Sequence, residues 1–313
     1  MKHILFSLAF FSLLLNACLS PNTISPQSQQ FKNQSSEEFN AYWYQGKAEL
    51  NSYDLTQSRY GEKRKGDAVL VFVSEDFLID PQVKKDYPTE QPSSSVLKLN
   101  FIRKFVTGIY DYSLMSSVFT PIHQEKVYGP IKTTSSSQEW CGQSWLQLNQ
   151  RSGGYEVAGY SYFQSEGDIR RVLKNHHLED GLWNQIRIQP DLIPEGEVEM
   201  IPASQFLRLR HHEIKAYTAT LSKSNYKDSL ISGHKLQSLS VDYPSLDRQL
   251  EIIYEKEFPH RIKAWRESYQ VGLGEKAKLM QTTATLKANI MSDYWNKNSL
   301  SDSSLRKRLR LKP

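Results

Sequence analysis

Cysteine is almost absent from this 313-residue chain: Cys18 and Cys141 are the only two. Cys18 ends a leader-like stretch and is read as lipidated, so Cys141 stands alone. That excludes an intrachain disulfide, and a lone thiol makes no zinc site by itself. No apolar run is long enough to cross a bilayer. The stretch Ile4 to Leu15 has twelve residues and is interrupted by Ser7 and Ser12, whereas a spanning helix needs about 20. Charge of one sign is also lacking. The 39 Lys and Arg against 34 Asp and Glu leave a net +5, with no basic stripe interleaved with aromatics, so nucleic acid is not an expected partner. The phosphate-cradling patterns G-x-x-x-x-G-K-[ST] and G-x-G-x-x-G do not occur, nor does the nucleophile elbow G-x-S-x-G. There is no internal repeat.

What is present begins with the leader. Met1-Lys2-His3 is basic, Ile4 to Leu15 is apolar, and Leu15-Asn16-Ala17-Cys18 reads as a lipoprotein processing box. A small side chain such as Ala17 fits beside the scissile bond. The Cys18 thiol then takes diacylglycerol and its freed amine takes a third acyl chain such as palmitate. Three chains anchor firmly, since two are already stable. Leu19 is not the Asp that retains lipoproteins in an inner membrane, and no acidic export cluster follows. The expected location is therefore the cell envelope, on the periplasmic face of an outer membrane. The expected domain organisation is a signal peptide over 1–17, a flexible tether over 18–38, a β-rich domain over 39–300 and a basic C-terminal tail over 301–313. The tether is read from the Ser, Gln, Asn and Pro content of residues 20–38.

The fold class read from the sequence is mainly β. Aromatic residues make up 12% of the chain, and aromatic richness favours sheets. Strand candidates are 42–60, 66–77, 96–105, 108–120, 131–140, 141–150, 155–164, 214–221, 249–258, 261–269 and 279–290. In the last, Met280, Thr282, Ala284, Leu286, Ala288 and Ile290 share one face. Arg151-Ser152-Gly153-Gly154 reads as a hairpin turn. Residues 169–188 show helical spacing at Val172, Leu173, Leu178, Leu182, Trp183 and Ile186, which predicts one or two short helices. The expectation is a large, strongly curved antiparallel sheet, an open barrel or a sandwich. It includes the option of two sub-sheets, 39–165 and 190–300, around that helical segment. One helix cannot cover so large a sheet, so a second layer of strands or a lipid-sized cavity is expected against its concave face.

Candidate chemistry is sparse. The histidine pairs His176-His177 and His211-His212, with Glu179, Asp180 and Glu213 nearby in sequence, lack the spacing of a metal chelate, and surface histidines are the simpler reading. Cys141 reads as a buried structural thiol between Trp140 and Trp145 rather than a nucleophile, because its flanks read as strands. Trp140, Trp145, Tyr160 and Tyr162 are the candidate ligand-groove residues, with cross-strand packing as the alternative. No catalytic residue, metal or cofactor is assigned. Arg306, Lys307, Arg308, Arg310 and Lys312, interleaved with Leu305, Leu309 and Leu311, read as a solvated tail, with contact to anionic headgroups as the alternative.

Several strings together resemble a family of uncharacterised Gram-negative lipoproteins. They are residues 42–50 (Tyr42-Trp43-Tyr44-Gln45-Gly46-Lys47-Ala48-Glu49-Leu50), 137–142, 159–163, 257–259 and 293–296. The resemblance covers nearly the whole mature chain and implies an envelope location. That family carries the label "septum formation inhibitor Maf". True Maf proteins are cytoplasmic nucleotide pyrophosphatases with a Pro-Arg-Arg motif on an α/β fold. This chain has a leader and no Pro-Arg-Arg, so that activity is not expected of it. The functional expectation is a non-enzymatic, outer-membrane-anchored lipoprotein that binds a hydrophobic or envelope ligand or scaffolds an envelope assembly. The alternative is a periplasmic hydrolase built from His, Glu and Asp or from Cys141.

Overall fold

The computed structural model describes residues 37–123, 129–271 and 277–311. The leader, Cys18 and the tether up to residue 36 lie outside the described residues, as does Lys312. In chain order the elements are α1 (Glu37–Trp43), β1 (Ala48–Arg59), β2 (Glu62–Leu78), β3 (Val83–Lys84), β4 (Ser93–Thr107), β5 (Tyr110–Pro121), β6 (Lys132–Glu139), β7 (Gly142–Arg151), β8 (Gly154–Ser161), β9 (Ile169–Leu173) and β10 (His177–Leu178). There follow α2 (Leu182–Ile188), β11 (Gly196–Ile201), α3 (Ser204–Arg210), β12 (Tyr217–Asn225), β13 (Leu236–Tyr243), β14 (Arg248–Glu255), β15 (Ile262–Val271), β16 (Lys278–Ser292) and α4 (Ser304–Arg308).

The period-two alternation is realised as one 16-stranded sheet in the order β10-β11-β12-β13-β14-β15-β16-β1-β2-β4-β5-β6-β7-β8-β9, with β3 beside β2. Its pairings are antiparallel except β10–β11, which is parallel. The two edges, β9 and β10, are consecutive in sequence, with only residues 174–176 between them. That connection spans at most about 14 Å, so the sheet must curl until its edges approach. They do not pair, and the result is an open barrel. Two sub-sheets are not formed. β16 pairs with β1 from Ala48↔Ser292 to Thr56↔Thr283 and joins the halves.

The expected helices over 169–188 are corrected in part. β9 and β10 take the first half, because the open edges of β8 and β11 offer backbone partners. Helix begins only at Glu179–Gly181 and continues into α2. The strand expected from Tyr42 starts at Ala48 instead, after α1.

Among the described residues the concave face is covered by helices rather than by a second strand layer or a lipid-sized cavity. The sheet wraps around its own helices. Leu182, Trp183 and Ile186 of α2 and Trp43 of α1 pack against Leu70, Phe72, Leu97, Leu99 and Phe101. The cavity left between α2, α3 and the sheet is about 20 Å³, room for little more than one water.

Buried charges tie the helices to the wall. Arg187 of α2 forms a two-pronged pair with Glu49 at 2.6 and 2.7 Å, and Asn51 and Tyr42 also donate to that carboxylate. Glu179 accepts two bonds from Arg248 at 2.6 and 2.7 Å, and Arg248 also reaches Glu267 at 2.8 Å. Asp180 accepts from the Ser204 amide and hydroxyl at the start of α3, at 2.9 and 2.6 Å. Geometry this complete is what allows charges to stay buried.

The single face read for 280–290 is broken. Ser52 pairs with Ala288 and Tyr53 with Leu286, so Lys287 is the extra residue of a β-bulge. Before it, Met280 and Ala284 face the interior clusters. After it, Ile290 faces outward and joins Ala48, Leu50, Val71 and Val73. Leu305, Leu309 and Leu311 cover this outer cluster. The basic C-terminal segment is therefore docked on the sheet, not a solvated tail.

Candidate functional site

Where the curled sheet fails to close, α3 and residues 211–214 lean over β6, β7, β8 and β9 and leave a cleft of about 340 Å³. The local cause is α3 itself. Ser204 anchors its start to Asp180, and His211 ends it in the left-handed conformation, φ 55°. Alternation along the strands brings Ser135, Ser137, Ser144, Leu146, Gly159, Ser161, Ile169 and Arg171 to the cleft wall. Leu207, Arg208 and Ile214 face them from the other side.

Glu166 organises one end. Its carboxylate accepts from Ser161 Oγ at 2.5 Å and contacts His211 Nδ1 at 2.6 Å. The Arg208 guanidinium lies 3.6 Å from it. Arg208 also donates to Ser144 Oγ at 2.5 Å and lies over the Phe163 ring. Arg171 donates to the Ile214 carbonyl and pairs with Glu213 at 3.3 Å. Two buried donors in the wall have no hydrogen-bond partner among the described residues: Ser137 Oγ and Arg171 Nε. Buried polar atoms are usually paired; of the eleven unpaired side-chain atoms found among the described residues, these two belong to residues that line the cleft.

The carboxylate sits between Ser161 and His211, and this order matters. A serine nucleophile needs the imidazole next to its hydroxyl, with the carboxylate behind. Here Ser161 and His211 each bond Glu166, so the arrangement orients groups without activating the hydroxyl.

The candidate groove residues separate into two sets. Trp145 and Tyr160 are register partners, stacked at 5.9 Å, and both border the cleft, although alternation with Ser144, Leu146 and Ser161 turns their rings to the opposite face of the sheet. Trp140 and Tyr162 do not. Trp140 is 68% exposed in the β6–β7 turn, beside Tyr110. Tyr162, 69% exposed, packs over Gly142. Cys141 is exposed in that same two-residue turn, which corrects the buried reading. The flanking strands were read correctly, but a hairpin tip has no layer to cover it. The Glu139 carboxylate, hydrogen-bonded beside it, holds its thiol pKa above the usual value.

The histidine pairs do not gather acidic partners into a chelate. Glu179 is taken by Arg248, Asp180 by Ser204, and Glu213 by Arg171 and Lys215. Among the described residues no three His, Cys, Asp or Glu converge. His212 stacks on Phe206 instead, and burial lowers its pKa, with Arg210 and Arg248 adding to the effect. Glu166, Arg171 and Arg208 were missed from the sequence. They come from a loop, an edge strand and a helix that no local periodicity singled out.

No protein-family profile and no curated protein matches the chain. Among solved structures it is similar to a β-barrel-like protein of a domain of unknown function from Brucella abortus. The identity is 9%, with 79% of this chain and 98% of that one covered, at a TM-score of 0.45. A porin-like protein from Bacteroides uniformis aligns at 10% identity over 79% and 96% of the two chains, with a TM-score of 0.23.

Proposed function

We propose that the protein is a non-enzymatic envelope lipoprotein, held at the outer membrane through acylated Cys18, that binds a small, oxygen-rich envelope ligand in the cleft beside α3. The observation that carries this reading is the open cleft of about 340 Å³, whose wall brings Ser135, Ser137, Ser144 and Ser161 together with Arg171 and Arg208. Hydroxyl and guanidinium groups in such a wall suit ligand oxygens, and a hydrogen bond to a charged donor contributes about 1.5–3 kcal/mol. The volume falls in the range of small-molecule sites. Leu146, Ile169, Leu207 and Ile214 supply apolar contact around those donors. The packed interior argues against a lipid carried in the concave face.

The test is native mass spectrometry of the detergent-solubilised protein purified from its own membranes. A defined extra mass is expected on the wild type. It should be lost in Ser137→Leu, which removes the donor and fills the cleft, with the circular dichroism spectrum unchanged. The same mass retained in folded Ser137→Leu, or no mass on the wild type, would overturn the proposal.

A further inference from the structure

The chain enters and leaves the sheet side by side: Ala48, which opens β1 just after α1, is the register partner of Ser292, which closes β16. From there residues 293–311 run along the outer face as two short turns and α4. One side of this segment is apolar and buried on the sheet, with Leu309 only 6% exposed and the Leu309 carbonyl accepting from Ser52 Oγ at 2.5 Å. The other side carries Lys307, Arg308 and Arg310, all exposed. None of these three has an ion pair among the described residues. Leu300 is 94% exposed and Trp295 46% exposed on the same segment. Between segment and sheet runs an apolar groove of about 590 Å³, lined by Leu50, Val69, Ile102, Leu300, Leu305 and Leu309.

We propose that this face docks on an anionic phospholipid leaflet. The argument is charge complementarity. Three uncompensated cations within four residues are held by the packed leucines as a fixed patch. Each cation near an anionic surface improves partitioning roughly fivefold. An exposed tryptophan and leucine on the same segment suit the headgroup boundary. The inference requires neither acylation of Cys18 nor a ligand in the cleft.

The experiment uses the unacylated mature chain, residues 18–313 with Cys18→Ser, which keeps every described residue. It is sedimented with phosphatidylcholine vesicles and with mixed phosphatidylcholine–phosphatidylglycerol vesicles. Binding is expected only to the mixed vesicles and should be released by high salt. The triple variant K307E/R308E/R310E should bind more than about a hundredfold more weakly, because three cations are lost and three anions gained, and Leu300→Ser several-fold more weakly. Leu300 is almost fully exposed, so its replacement keeps the test valid if the triple variant does not fold. No binding, equal binding to both vesicle types, or salt-insensitive binding would overturn the proposal. Unchanged binding by Leu300→Ser and a folded triple variant would do the same.

Discussion

Glu49 and Asp180 are both buried carboxyl groups, and their neighbours drive them in opposite directions. Burial alone would raise Glu49, but the charge and hydrogen bonds of Arg187, with those of Tyr42 and Asn51, bring it down to about 2. Burial pushes Asp180 up to about 6; Ser204 opposes this in part, and the Glu179 charge adds to it. A lowered carboxyl stabilises the fold above its unfolded pKa, and that stability is lost as pH falls toward 2. A raised one stabilises below its unfolded pKa, and that stability is lost as pH rises through 6. Asp180→Asn should therefore gain on the wild type between pH 4 and pH 7 by about 2–3 kcal/mol, measured by urea unfolding at both values. A constant difference between the two proteins would show that Asp180 is not protonated in the fold at pH 4–5. None of this was legible in the sequence. Glu49 and Arg187 are 138 positions apart, and no local pattern marks either as buried.

At the scale of elements, strand positions were readable where alternation was clean, as in β4, where Leu97, Leu99 and Phe101 point inward as expected. Reading failed where a tertiary demand overrode the local signal. The bulge at Lys287 flips the face of β16, so that Leu286 and Ile290 belong to different clusters. α3 was missed because Ser204–Arg210 is short and its buried face includes Ser204 and Gln205, which bond to Asp180 and to the sheet. Gly66 shows a different constraint. A Cβ there would lie 2.2 Å from the Lys104 carbonyl oxygen and 2.8 Å from Phe105 Cβ. The obstacle is chiefly the backbone of the neighbouring strand, which cannot rotate away. Gly66→Val should cost about 3 kcal/mol or more by overpacking the β2–β4 pair, seen as a lower denaturation midpoint. A midpoint within error of the wild type would show that the strands can separate without loss.

For the whole molecule, the proposed anchor and the proposed surface contact make separable forecasts. Acylated wild type should stay with membranes through a high-salt wash, because acyl chains are held by the hydrophobic effect. Cys18→Ser should appear as an uncleaved precursor or as a form that salt releases. If Cys18→Ser stays with salt-washed membranes at the mature size, Cys18 is not the anchor. By itself the sequence determined the mainly-β class, most strand positions and the leader pattern, because period-two alternation and an apolar run before a cysteine are properties of neighbouring residues. Only the tertiary structure decided that the halves fuse into one sheet through β16 and β1, that the open sheet wraps its own helices, and that the basic C-terminal segment is docked. Those outcomes rest on contacts such as Ser52 to Leu309, 257 positions apart. Such a contact depends on how the curled sheet brings distant backbone together, which no window of adjacent residues contains.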